Sequence, residues 1–279
     1  VDGISDCEVI LTDDGSSDET PTVLEEFRRK SPDNLRVLRI PNGGPARARN
    51  YALREAKNER ILFIDDDVFP RAGMLQSHGR MLDAGYTGSQ GILVWHPEIE
   101  ITPLIRYIDS RGSMFDFERA EDTRDLSFTH VYTGNFAVLR SAVLNVGGFD
   151  EKIFEKNIAN PFFEDTILAY RLVQNGGRLG LNREAIADHL HDFNETGFLD
   201  REYKIGYSIG RLRGMYPDVA KRMGWDRKDF LAEAQVQLLR LLNASSIPKR
   251  LLAYPLSMRL RNREAFYQGF LQFKRDAAR

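Results

Sequence analysis

The chain has 279 residues, 42% of them hydrophobic and 29% charged, with a formal net charge of −2. That length suits one large α/β domain, or one domain with a helical appendage, rather than two equal domains. Near-neutral charge argues against a general nucleic-acid-binding surface, the single cysteine (Cys7) excludes an internal disulfide and a cysteine-based metal site, and no apolar run is long enough for a membrane span.

Residues 8–12, EVILT, predict a short buried strand running straight into Asp13, Asp14, Gly15 and Ser16. Thr20 then Pro21 is a helix-start signature, and Val23, Leu24 and Phe27 are expected to form the buried stripe of the helix behind it. Residues 35–40 alternate like a second strand, and Asn42, Gly43 and Gly44 turn the chain into a helix over about 45–57. The third strand, 60–64, delivers Asp65, Asp66 and Asp67 to its carboxyl end, where ligands of open α/β sheets sit. Strands alternating with helices at this spacing indicate a mostly parallel sheet flanked by helices.

Further along, the pattern predicts a helix over 72–84, a strand over 89–95, and a polar loop over 116–125 that is either an active-site flap or a surface insertion. Residues 129–140 read as a strand, followed by a short helix to Gly147 and Gly148. Residues 165–174 read as a helix with Ile167, Leu168 and Leu172 inward. From 198 onward everything looks helical, so the expected domains are 1–195, carrying the sheet, and 196–279, a basic and amphipathic helical region. From Arg240 onward, nine Lys or Arg oppose Glu264 and Asp276. Such helices either lie on an anionic membrane surface or cap the sheet domain.

Like charges a few Å apart repel by roughly 4 kcal/mol at an effective dielectric of 20, and a divalent cation relieves that in the aspartate triplet. Strand periodicity places Asp65 and Asp67 on one face, able to share a metal that Asp66 does not touch. Acidic residues recur in Asp13 and Asp14 after the first strand and in Glu164 and Asp165 at a helix start. Singly, these are turn formers or helix N-terminal charges; three clusters together suggest a site. His189 and His191 alternate about a strand end and offer imidazoles to a metal, or are ordinary hydrogen-bonded histidines. Arg47 and Arg49 do not share a helix face, so one can hold phosphate while the other is solvated. Met74, Leu75 and Met81 follow a packing stripe.

EVILTDDGSSDET at 8–20, NGGPARARNYALREA at 42–56, ILFIDDDVFP at 61–70, TGNFAVLRSAVLNVGGFDE at 133–151 and FFEDTILAYRL at 162–172 resemble, in order and spacing, the family 2 glycosyltransferases. Each segment alone is weak; the set is specific and covers about the first two thirds of the chain. The resemblance implies a GT-A fold and inverting, metal-assisted transfer of a sugar from a nucleoside diphosphate sugar to a hydroxyl of a glycan or lipid-linked acceptor, as in polysaccharide biosynthesis. It implies that Asp13 and Asp14 contact nucleobase and ribose, with Arg49 and Asn50 near the nucleotide. Asp65 and Asp67 then resemble the DXD motif that holds Mn²⁺ or Mg²⁺, with Asp67 the direct ligand, Asp65 nearer the ribose and Asp66 beside the donor. Asp165 resembles the general base, with Glu164 its rival, and Thr133, Gly134 and Asn135 resemble the strand lining the sugar and acceptor pocket.

Two features depart from the family pattern. The match begins after the family's first strand and helix, so the expectation is a chain without that unit, and Ile167 stands where the family often has an acid. The alternatives are a non-catalytic nucleotide-sugar-binding or assembly module and a sugar nucleotidyltransferase, though the Gly-rich basic loop of the latter is not visible. A near-neutral protein with no nucleic-acid partner, no span and no signal-peptide pattern is expected in the cytoplasm, either free or at the inner face of the membrane through its C-terminal helices.

Overall fold

The computed structural model describes residues 7–30, 34–110, 117, 124–153, 162–225, 236–237, 240–241 and 254–278. In chain order the elements are β1 (Val9–Asp13), α1 (Thr20–Lys30), β2 (Leu35–Arg39), α2 (Pro45–Glu55), β3 (Arg60–Ile64), β4 (Val68–Pro70), α3 (Met74–Asp83) and β5 (Gly88–Trp95). There follow α4 (Pro103–Ser110), β6 (Asn135–Leu139), α5 (Arg140–Asn145), α6 (Glu164–Gln174), β7 (Leu179–His189), α7 (Glu195–Met215), α8 (Pro217–Arg222) and α9 (Tyr254–Ala277). These form two compact units, one of Val1–Glu98, Phe115–Asn160 and Glu164–His191, the other of Ile99–Met114, Pro161–Phe163 and Asp192–Arg279.

In the first unit β1 and β2 pair in parallel, and a five-stranded sheet runs β3-β6-β5-β7-β4. The α/β architecture is the expected one, but its pairing is mixed: β5 runs parallel to β7, whereas β3–β6, β5–β6 and β4–β7 are antiparallel. Only Asp65, Asp66 and Asp67 separate β3 from β4, which occupy opposite ends of the strand order. Those residues span at most about 14 Å, less than the roughly 19 Å that four flat strand spacings require. The sheet bends instead, at a register shift between Gly91 and Ile92: β5 pairs with β6 only through Gln90, then continues beside β7 to Trp95. The aspartates thus lie in the turn that closes this bend.

The core is apolar and close-packed, with Phe136, Val138, Ile167, Leu168, Leu172 and Leu179 buried and Phe63 set edge-on to Phe149. One buried polar network crosses it. His78 of α3 meets Ser89 Oγ at 2.8 Å and Asn135 Oδ1 at 2.9 Å, and burial pushes its imidazole down to about 4, keeping it neutral.

Two sequence expectations change here, the first being the buried stripe of α1, since Val23 and Phe27 are exposed and no residue of that helix is buried. The strand expected over 129–140 contracts to Asn135–Leu139, because residues 128–130 form a 3-10 turn and the Gln90 side chain accepts the Tyr132 amide at 2.8 Å, diverting it from a ladder. The expected loop over 116–125 lies outside the described residues except for 117, 124 and 125.

The second unit is helical. Ile209 of α7 and Tyr267, Phe270 and Leu271 of α9 share a buried cluster, with Trp225 and Phe266 packed against it. Asn194 caps α7 by accepting the Gly197 amide at 2.8 Å, and Arg261 pairs with Glu195 at 2.5 Å. The apolar stripe of α9 is therefore occupied within the unit, while Arg259, Arg263, Lys274 and Arg275 remain exposed. Among the described residues, no helix is long and apolar enough to cross a membrane.

Candidate active site

The turn after β3 sends its acids in two directions. Asp65 turns toward α2, where Arg49 Nη2 donates to its Oδ1 at 3.0 Å. The other arm of the same guanidinium donates to Glu164 Oε1 at 2.8 Å, so one planar cation links the β3 turn to the start of α6. Phe163, immediately before, has φ 84, the only positive value at a non-glycine among the described residues. Such a conformation costs about 1–3 kcal/mol and persists where surrounding structure enforces it.

Asp165, next along α6, is partly exposed and accepts the Thr166 amide at 2.7 Å. Desolvation and the neighbouring Glu164 carboxylate push it up to about 7, outweighing the opposing pull of the Thr166 amide and Arg49. A carboxyl half-protonated near neutral pH is what proton transfer at that pH requires.

Asp67 turns the other way. Its Oδ2 lies 3.3 Å from His189 Nε2 and 3.1 Å from His191 Nδ1, and the two imidazoles stack at 5.5 Å with an interplanar angle of 5°. Burial would raise the Asp67 carboxyl, but hydrogen bonds and charge from both histidines hold it well below the usual carboxylate range. One atom from each of these three residues lies within 4.8 Å of the others, a carboxylate and two imidazoles suited to a divalent cation. The Leu190 amide donates to Asp67 O at 2.8 Å, tying the aspartate turn to the end of β7.

Asp65 does not join that group. Period-two reasoning put it beside Asp67 on an extended strand, but β3 ends at Ile64 and the aspartates occupy a turn, with the Val68 amide donating to Asp65 O at 3.3 Å. Asp66 is exposed between them.

Other residues singled out from sequence have their side chains largely committed. Asp14 accepts the Gly43 and Gly44 amides at 2.9 and 2.7 Å, bracing the loop that starts α2. Asp13 is buried, accepts the Ser16 amide at 2.8 Å and pairs with Arg39 at 3.3 Å; burial opposes ionisation, yet the Ser16 bonds and Arg39 hold its carboxyl below the ordinary value. Asn50 clamps the turn after α5, donating to Phe149 O and Glu151 Oε1 and accepting the Phe149 amide, all at 2.9 Å. Gly148 makes that clamp possible, because its φ is 76 and a Cβ there would lie 2.6 Å from Asn50 Oδ1. Asn135 is fully buried, donating through Nδ2 to Ile92 O and Ala185 O and accepting from His78 Nε2 at Oδ1, so its side chain serves the sheet bend. Thr133 is buried, and Gly134 lies beside Asp65, where a Cβ would approach Oδ2 to 3.1 Å.

Sequence reasoning missed the Arg49–Glu164 link, which joins positions 115 residues apart and leaves no local signal. It also passed over Trp95, which stands across from His189 at the end of β5.

Residues 3–147 match the family model described as Glycosyl transferase family 2. The chain is 31% identical over 214 residues to the pre-mycofactocin glycosyltransferase of Mycobacterium tuberculosis, covering 75% of this chain and 43% of that protein. It is 27% identical over 206 residues to the minor teichoic acid biosynthesis protein GgaA of Bacillus subtilis, covering 70% and 42%. The chain thus spans less than half the length of these relatives. The mannosyltransferase PcManGT from Pyrobaculum calidifontis, solved with GDP-Man and Mn²⁺, aligns with a TM-score of 0.62 at 17% identity over 96% of this chain and 78% of that one. That likeness shows a common fold, the GT-A type expected from the motifs.

Proposed function

This chain belongs to glycosyl transferase family 2, and from that premise we propose that it moves a sugar from a nucleoside diphosphate donor to a hydroxyl of a glycan or lipid-linked acceptor, with inversion. The observation that carries the reading is Asp165, a carboxyl raised to about 7 beside the Arg49–Asp65–Glu164 link. Asp165 takes the proton of the acceptor hydroxyl as its oxygen attacks the anomeric carbon and the bond to the diphosphate breaks. A general base so matched contributes about 10²- to 10⁴-fold. Arg49 compensates the flanking carboxylates, so Asp165 remains able to ionise in their company.

Asp67, His189 and His191 would hold the cation, Mn²⁺ or Mg²⁺. When bound, the ion supplies positive charge to the diphosphate leaving group. Asp65 is assigned to the donor side, at the ribose, with Asp66 exposed nearby. Asp13 and Asp14 serve base and ribose by bracing the loops that would meet them, Asp13 through Ser16 and Arg39 and Asp14 by holding the 42–44 loop in place. Asn50 acts as a positioning residue through the Phe149 turn, and Thr133 and Gly134 border the sugar. Any contact of the second unit with an anionic membrane is electrostatic, through exposed residues such as Arg259 and Arg263.

The test is a screen of nucleoside diphosphate sugars by thermal shift with Mn²⁺, followed by measurement of nucleoside diphosphate release. A donor present at about 100 times its dissociation constant stabilises the protein by about 2.7 kcal/mol. A donor that shifts the midpoint yet never yields nucleoside diphosphate, with any acceptor offered, would reduce the chain to a binding module.

A further inference from the structure

We propose that Trp95 is a stacking platform for a sugar ring, the wall of the site that recognises saccharide rather than nucleotide or metal. The inference rests on the sugar-transfer reading and deepens it.

Strand geometry sets the placement. Residues directly across a ladder share a face, and alternate residues along a strand share it too. Trp95 lies across from His189, Leu93 from Ala187, and Val68 of β4 also from His189. Leu93, Trp95 and His189 therefore project from one face. Leu93 extends to Gly134, where a Cβ would meet Leu93 Cδ1 at 3.3 Å and Asp65 Oδ2 at 3.1 Å. The face bearing Trp95 is thus also the face of the Asp65 carboxylate. Phe69 and His96, packed at 5.1 Å, belong to the opposite face by the same alternation.

On this face Leu93 is buried while Trp95, two residues further out, is partly exposed, its ring 6.2 Å from that of His189 at 44°. The partly exposed Trp95 ring thus stands beside the residues that would hold the cation, on the side that carries Asp65. Those neighbours supply charge and hydrogen-bond acceptors suited to phosphate, metal and hydroxyls. What Trp95 adds is an apolar plane, complementary to the C–H face of a pyranose. The glycine at 134 has a matching consequence, since a side chain there would crowd Asp65 and Leu93 and narrow the approach.

Two sources present that chemistry: the sugar of the donor and the sugar of the acceptor. The protein has two tryptophans, so Trp225→Phe leaves Trp95 as the sole indole reporter. That variant is titrated, with Mn²⁺, with UDP, GDP, UDP-glucose, UDP-N-acetylglucosamine and GDP-mannose. It is then titrated with methyl glucoside, methyl N-acetylglucosaminide and methyl mannoside in the presence of the nucleoside diphosphate that binds. A Trp95 emission change from a nucleotide sugar, beyond that of its nucleoside diphosphate, assigns the platform to the donor sugar. A change produced by a glycoside assigns it to the acceptor.

Trp95→Leu, which keeps apolar volume but removes the ring face, is expected to weaken that sugar-dependent step by about tenfold, with Trp95→Phe restoring most of it. Affinity for Mn²⁺ and nucleoside diphosphate should stay within about twofold in both. If calorimetry shows a nucleotide sugar binding while Trp95 emission answers to neither sugar source, and Trp95→Leu binds and transfers like wild type, the platform is refuted and the transferase reading survives. If no nucleotide sugar binds at all, both are overturned.

Discussion

Replacing Asp165 by Asn separates the two consequences of the site's electrostatics. The substitution keeps shape and an Oδ1 able to accept the Thr166 amide, which lies 2.7 Å from Asp165 Oδ1 in the wild type, but removes the ionisable proton. The folded protein holds that proton up to about pH 7, whereas an unfolded Asp releases it near 3.8. Between those values the native state binds more protons than the unfolded state, so stability falls as pH rises through the window and levels off above it. At 1.36 kcal/mol per pH unit the interval sets a ceiling of about 4 kcal/mol on the cost of ionised Asp165 at pH 8.

Asp165→Asn should therefore be indistinguishable from wild type in denaturant unfolding near pH 4 and more stable by about 1–4 kcal/mol at pH 8. Its transfer rate should fall by about 10²- to 10⁴-fold with the donor-induced thermal shift retained. A variant that transfers sugar at the wild-type rate removes Asp165 from the role of base. A variant whose stability has the same pH dependence as wild type shows that the carboxyl is not strained toward its protonated form, and the electrostatic argument fails with it.

Asp67→Ala and His189→Ala should each weaken Mn²⁺ binding, followed by calorimetry in the presence of nucleoside diphosphate, by more than the roughly 100-fold typical of losing an outer-shell partner; unchanged affinity would place the cation elsewhere. Arg49→Met should move the acidic limb of the pH–rate profile to higher pH, because the Arg49 charge favours ionised Asp165, and should cost about 3–5 kcal/mol in unfolding by leaving Asp65 and Glu164 uncompensated; a limb that stays put refutes the coupling. Gly148→Ala should destabilise by about 2–3 kcal/mol, combining left-handed strain with loss of the Asn50 clamp, whereas Gly147→Ala, at φ 85 with open space around it, should cost about 1 kcal/mol. Equal losses in the two alanine variants, compared by urea midpoint, would mean that the contact with Asn50 contributes nothing.

Periodicity and punctuation were enough to find most of the sheet unit from sequence, because its elements are local statements. Thr20-Pro21 starts α1, Gly44-Pro45 starts α2, and the apolar run before the aspartates is β3. The sense of strand pairing, and the bend at Gly91/Ile92 that lets a three-residue turn join opposite edges of the sheet, were not legible, since both are set by pairing between distant segments. The same limit governs which side chains of the site come together. Period-two alternation holds only while a strand continues, and Asp65 and Asp67 part company because β3 stops at Ile64. Conversely, His189 and His191 meet Asp67 because β4 pairs with β7 and sets Val68 against His189. A residue's type indicates what chemistry it can do, but which of two available partners it takes, Arg49 or His189 for an aspartate in this turn, is decided by non-local pairing. It follows that substitutions at the bend, such as a side chain at Gly91 that would collide with Asn135, should disturb both acidic clusters together although they touch neither.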